Sequence, residues 1–190
     1  WRTLQDQKNA ASLLCEEEKM FGGTRMIKQQ SPVHLFMSAI VQGTKKENIL
    51  PHKPSSFAVP VLPGGKEVTV TISMRKQYES RLKTYEWYFQ YMLHLAGFGQ
   101  RSRRGFGAMQ WTGHQWENVE QYADSLRTVL ENIGAAATFS FSKRGRIVAR
   151  NEAVQTPHPV LSAVWVGEGK DSAIEVLKGF GRASHEVNRY

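Results

Sequence analysis

Between residues 67 and 96 the chain changes its apolar period once, from two to about 3.6 residues, which commits it to a fold of mixed strands and helices. In Glu67–Arg75, Val68, Val70, Ile72 and Met74 alternate with Glu67, Thr69, Thr71, Ser73 and Arg75, the pattern of a strand covered on one face. In Tyr78–Ala96, Leu82, Tyr85, Tyr88, Phe89, Met92, Leu93 and Ala96 recur at the spacing of a helix with an apolar stripe. Tyr78, Trp87 and Tyr91 ride on the same helix. Exposed rings would offer bases a stacking surface, but at helical spacing such rings are read as core.

The remaining segments fit around this pair. Arg2–Met20 reads as a helix with Leu4, Ala11, Leu14 and Cys15 near one face, stopped at Phe21-Gly22-Gly23. Ser31–Gln42 reads as a strand, and Pro51–Gly65, with four of the seven prolines, as a loop around a short strand, Phe57–Leu62. Ala108–Trp111 is expected to be a short strand. Asn118–Asn132 is an amphipathic helix through Val119, Tyr122, Leu126, Val129, Leu130 and Ile133, closed by Gly134. Ala137–Phe141 and Ile147–Ala149 flank Ser142-Lys143-Arg144-Gly145-Arg146 as a hairpin. Val160–Val166 is expected to be a buried strand, and Asp171–Val187 a closing helix capped by Asp171 or Ser172, with Ile174, Leu177 and Phe180 inward. The first half, residues 1–112, therefore runs α-β-β-α-loop-β. One strand before Trp1 would complete β-α-β-β-α-β, so the expected class is α+β with a ferredoxin-like unit lacking its first strand. The second half, residues 113–190, runs α-β-β-β-α and reads as a second ferredoxin-like unit or an extension of the first sheet.

At 190 residues, area scaling predicts that about 70% of the unfolded surface is buried, so a core forms without staples. The lone Cys15 excludes an internal disulfide framework and a cysteine zinc site, and suits a reducing, cytoplasmic setting. The longest stretches without Asp, Glu, Lys or Arg, Gln29–Thr44 and Ala153–Gly167, are too short and polar for a membrane span. No secretory signal opens the chain, and its start inside a helical pattern suggests that something upstream is absent.

The net charge of +8 is concentrated. Gly97–Trp111 carries Arg101, Arg103 and Arg104 without an acid, and Lys143–Arg150 carries Lys143, Arg144, Arg146 and Arg150 without one; these seven cations account for seven of the eight net charges. Two patches on a balanced body point to a polyanion partner, and the bidentate fork of arginine suits phosphate. Gly97-Phe98-Gly99-Gln100-Arg101-Ser102-Arg103-Arg104-Gly105-Phe106-Gly107 is the most informative segment. Gly97, Gly99, Gly105 and Gly107 permit close approach of backbone N–H groups to an anion, and Ser102 adds a hydroxyl. It is neither a P-loop nor a dinucleotide fingerprint, since it follows a helix and lacks the G-K-[ST] ending. The bland alternative is a turn whose arginines cap the preceding helix, but three crowded arginines call for an anion. Phe106 is read as an anchor for the loop rather than a stacking ring. Lys143, Arg144 and Arg146 crown the hairpin and suit either RNA or a neighbouring subunit.

The loop G-x-G-x-x-S-R-R-G-F-G, between the second helix and last strand of a ferredoxin-like unit, resembles the glycine-rich loop of the RAMP superfamily, RNA-binding subunits of CRISPR effector complexes. Trp1-Arg2, E-E-E-K-M-F-G-G-T at Glu16–Thr24, P-H-P-V-L-S-A-V-W-V-G at Pro157–Gly167 and Ala183-Ser184-His185 are similar to segments of one branch, the first subunit of the Cmr (type III-B) complex. The resemblance spans nearly the whole chain, but the family's first strand is missing before Trp1. It implies a non-catalytic subunit that needs no cofactor and acts in antiviral defence. Such a subunit binds guide RNA and captures target RNA near the guide 3′ end, beside other Cmr-complex subunits.

The histidines at 34, 52, 94, 114, 158 and 185 are scattered, with no H-E-x-x-H or paired-ligand spacing, and His114-x-x-Glu117 reads as a surface pair. One alternative is a metal-independent CRISPR repeat-processing endoribonuclease, though such enzymes carry the glycine loop nearer the C-terminus, whereas 83 residues follow Gly107 here. The other is a scaffold subunit whose basic loops dock another protein.

Overall fold

The structure, a computed structural model, describes residues 1–38, 45–48, 58–61, 65, 67–98, 107–113, 115–167 and 169–187. Its elements are α1 (Ala10–Phe21), β1 (Val33–Ser38), β2 (Lys45–Asn48), β3 (Ala58–Val61), β4 (Thr69–Met74), α2 (Leu82–Leu95), α3 (Val119–Ile133), β5 (Phe139–Phe141), β6 (Arg146–Arg150), β7 (Ala163–Trp165) and α4 (Ala173–Val187). The class is α+β. Among the described residues β1 pairs with β4, β2 with β3, and β5, β6 and β7 form a sheet in that order. Contacts divide the chain into two compact units, Trp1–Phe36 with Ile72–His94 and Trp111–Gly167, and Met37–Thr71 with Leu95–Gln110 and Glu168–Tyr190. Residue 112 lies inside the first unit's last segment.

The first unit holds the core. Leu126, Val129 and Leu130 on α3 meet Phe139 of β5 and Ile147 and Val148 of β6, with Leu4 and Tyr91 closing the cluster. Each such side chain contributes about 1.5–3 kcal/mol by leaving water. The register explains why two consecutive β6 residues point inward. Arg146 pairs with Trp165 and Val148 with Val164, so β6 carries one extra residue, Ile147, at a bulge. On the other side of the core, Phe21 at the end of α1 sets its ring edge-on to Tyr85 and Tyr88 of α2, with centroids 5.8 and 6.1 Å away. The Tyr85 hydroxyl donates to the Met20 carbonyl. In the second unit β2 and β3 form an antiparallel pair, from Lys45 opposite Val61 to Asn48 opposite Ala58.

Several expectations need correction. The chain from Arg2 to Met20 is not one helix: a 3-10 turn at Arg2–Leu4 gives way to extended chain, and α1 starts only after Asn9, whose side chain accepts from the Ala11 and Ser12 N–H groups. Tertiary partners hold the intervening residues out of the helix. Leu161 N–H donates to the Thr3 carbonyl at 2.7 Å, His158 Nε2 lies 3.0 Å from the Gln5 carbonyl, and Asp6 pairs with Arg150. The buried residues of α1 are Leu13 and Glu18; Leu14 and Cys15 are half-buried and Ala11 is exposed. The helix expected from Tyr78 begins as a 3-10 turn, Lys76–Arg81, before α2. Its aromatic side chains are all buried or half-buried, as the core reading requires, but Ala96 is exposed. Ala108–Trp111 is not a strand, since only Trp111 makes a bridge. β7 is short, and its Trp165 faces outward rather than into the core. On α4, Ile174 is exposed instead of inward, while Leu177 is half-buried. β2 was not expected from the sequence at all. Residues 39–42 of the first expected strand, and 57 and 62 of the second, lie outside the described residues.

Candidate nucleic-acid interface

Two basic segments were singled out, and each lies in its own unit. In the glycine–arginine segment the structure describes Gly97, Phe98 and Gly107; Gly99, Arg101, Ser102, Arg103, Arg104, Gly105 and Phe106 lie outside the described residues. The described ends are joined, because Phe98 N–H donates to the Gly107 carbonyl at 2.9 Å. Gly107 has φ +73°, and a Cβ there would overlap the Phe98 carbonyl oxygen, so this end of the segment requires glycine. The Phe98 ring is exposed.

The residues that flank this segment in sequence, His94 and Trp111, belong to a packed aromatic group in the first unit. His94, near the end of α2, is buried against the rings of Trp111, Trp116 and Tyr122, at 5.9, 4.6 and 5.5 Å between centroids. Its Nδ1 lies 2.8 Å from the Gln90 carbonyl and its Nε2 3.0 Å from Ser125 Oγ on α3. The Tyr122 hydroxyl donates to the His94 carbonyl at 2.7 Å, satisfying one end of α2, and burial pushes that phenol up to about 12. Sequence reading left His94 among scattered histidines. The clue was its place four residues past Gln90 on a helix whose neighbours are Leu93 and Tyr91. His114 lies outside the described residues, and Glu117 is exposed.

The second segment is the β5–β6 hairpin. Ser142 N–H donates to the Ile147 carbonyl at 3.0 Å, and Val166 N–H donates to the Gly145 carbonyl at 2.8 Å, which ties the turn to the end of β7. Lys143, Arg144 and Arg146 are exposed on this turn. The segment is acid-free in sequence but not in space. Lys143 lies 3.5 Å from Asp124 and Arg144 3.7 Å from Glu120, both carboxylates on α3. Arg144 keeps 91% of its side chain exposed, so its pair is the weak, exchangeable kind. Arg146 lies over the Trp165 ring, 5.7 Å from its centroid. Arg150 does not belong to the patch. Its side chain is 4% exposed, paired with Asp6, and donates to the Leu161 carbonyl at 2.9 Å.

Among the described residues no three His, Cys, Asp or Glu side chains converge as a metal site. No described helix is long and apolar enough to cross a membrane. No protein-family model, no curated protein and no solved structure matches the chain.

Proposed function

We propose that the chain is a non-catalytic RNA-binding subunit of a CRISPR effector complex of the Cmr type, built on the RAMP pattern, that holds guide RNA and target RNA near the guide 3′ end alongside other Cmr subunits. The observation that carries this reading is the closed neck of the glycine–arginine segment. A main-chain hydrogen bond and an obligatory glycine at Gly107 join the ends of a stretch that spends three arginines and two further glycines in eight residues. Such a stretch has no apolar content to bury beyond Phe106, and its chemistry is that of a phosphate cradle. The order α1, β1, β4, α2, with β1 beside β4, supports a ferredoxin-like unit whose first strand is absent.

The test is RNA affinity of the purified chain at several salt concentrations. With five or six phosphate contacts, log affinity falls with log salt at a slope of about −4 for single strands. Arg103→Ala with Arg104→Ala removes most binding and makes the slope shallower by about 1.4. A folded double variant that binds like wild type overturns the assignment. Labelled repeat RNA incubated with and without divalent metal separates the alternatives: cleavage at one position identifies an endoribonuclease, and failure to bind any RNA favours a protein-docking scaffold.

A further inference from the structure

Trp165 is 69% exposed on the edge strand of the β5–β6–β7 sheet, in a position where the alternation of β7 offers Val164 to the core instead. The bulge at Ile147 is what makes the site. It lets Ile147 and Val148 both turn into the core while Arg146 stays outside, directly opposite Trp165 in the register. The guanidinium of Arg146 then lies over the indole. The Val166–Gly145 hydrogen bond ties the turn that carries Lys143 and Arg144 to the end of this strand. Lys143 and Arg144 meet two carboxylates of α3, Asp124 and Glu120, in exposed pairs that an incoming phosphate can displace.

We infer that Trp165, flanked by Arg146, is a base-stacking platform for single-stranded RNA, with Lys143 and Arg144 taking the adjacent phosphates. An aromatic face beside a basic groove is the arrangement that binds unpaired nucleotides with little regard to sequence, and a guanidinium on the ring adds a cation–π contact. This rests on the RNA-binding reading above and adds to it a site in the other unit. Charge favours RNA over a protein partner, since the group on the indole is the Arg146 guanidinium and the turn tied to β7 carries two further exposed cations.

The full chain is titrated with a labelled single-stranded oligoadenylate and with an abasic ribose-phosphate oligomer of equal length. Trp165→Ala weakens oligoadenylate binding about tenfold and leaves the abasic oligomer unchanged, while Trp165→Phe keeps most of the affinity. Trp165→Leu, which retains apolar volume without a ring face, behaves like Trp165→Ala and shows that the loss is not one of folding. Equal affinity of Trp165→Ala and wild type for oligoadenylate overturns the platform and leaves the indole to a protein partner. An equal loss on both probes also overturns it. Failure of the wild type to bind either probe overturns the RNA-binding reading itself.

Discussion

The two ends of β6 carry arginines in opposite circumstances. At its start Arg146, like Arg144 in the turn before it, keeps its guanidinium at the surface, where water and a neighbouring ring or carboxylate share it. At its end Arg150 is buried. It pairs with Asp6, donates to the Leu161 carbonyl, and lies 5.1 Å over the Phe139 ring. The first kind of cation is available to a partner; the second is committed to holding residues 3–6 and 161 in place. Proximity in sequence therefore says little about whether neighbouring arginines share a task. Burial separates them, because a buried guanidinium is stable only where carbonyls and a carboxylate replace its water.

The largest effect expected from this contrast is that of Arg150→Ala. It leaves the Leu161 carbonyl without its side-chain donor, while the half-exposed Asp6 returns to water, and lowers stability by about 1–3 kcal/mol, read as a fall in thermal midpoint. A melt within about 0.5 kcal/mol of wild type breaks the comparison.

Glu18 extends it to a buried carboxylate. Its oxygens accept from the Ile27, Arg25 and Met26 N–H groups at 2.6, 2.9 and 2.7 Å. The Ile27 N–H above all holds its carboxyl below the ordinary carboxylate range, against the opposing effect of desolvation. A depressed folded value means that the stabilisation is complete above the unfolded value of about 4.3 and is lost as pH falls through the lower folded one. The difference in thermal midpoint between wild type and Glu18→Gln is thus constant at neutral pH and closes in acid. A difference that persists unchanged at low pH shows that the Glu18 charge is not what holds Arg25, Met26 and Ile27.

The smallest stability effect belongs to Lys143→Ala with Arg144→Ala. Thermal unfolding should stay within about 0.5 kcal/mol of wild type, since exposed pairs contribute little. RNA binding by the isolated chain falls less than in the Arg103 and Arg104 double variant, because two α3 carboxylates already share these cations. A larger loss than in the glycine-loop variant inverts the ranking of the two basic segments.

These contrasts also mark where sequence was informative. α3 was legible almost to the residue, from Asn118 to Gly134, because its cap, periodic stripe and stop are all local signals. The hairpin was legible because its basic turn interrupts two apolar runs. The break before α1 was not, since Gln5 and Asp6 leave the helix only for partners at His158 and Arg150. Nor was the paired state of the hairpin tip, because Glu120 and Asp124 arrive from a different element. Trp165 was missed for a third reason. The run Val160–Val166 reads as a strand buried on both faces, whereas β7 lies at the edge of the β5–β6–β7 sheet, and its alternation turns Val164 inward and Trp165 outward. The glycine–arginine segment was visible as a motif, but only its ends, Phe98 and Gly107, are among the described residues.

The contacts of Thr3, Gln5 and Asp6 with residues 150–161 have a consequence for birth of the protein on the ribosome. Thr3 and Gln5 receive their partners only when Leu161 and His158 emerge, about ten to thirty seconds after them at ordinary elongation rates. Through that interval α1 and α2 can meet through Phe21, but the strap that closes the β5–β6–β7 side must wait. A nascent chain halted before residue 158 leaves Thr3 and Gln5 without these partners.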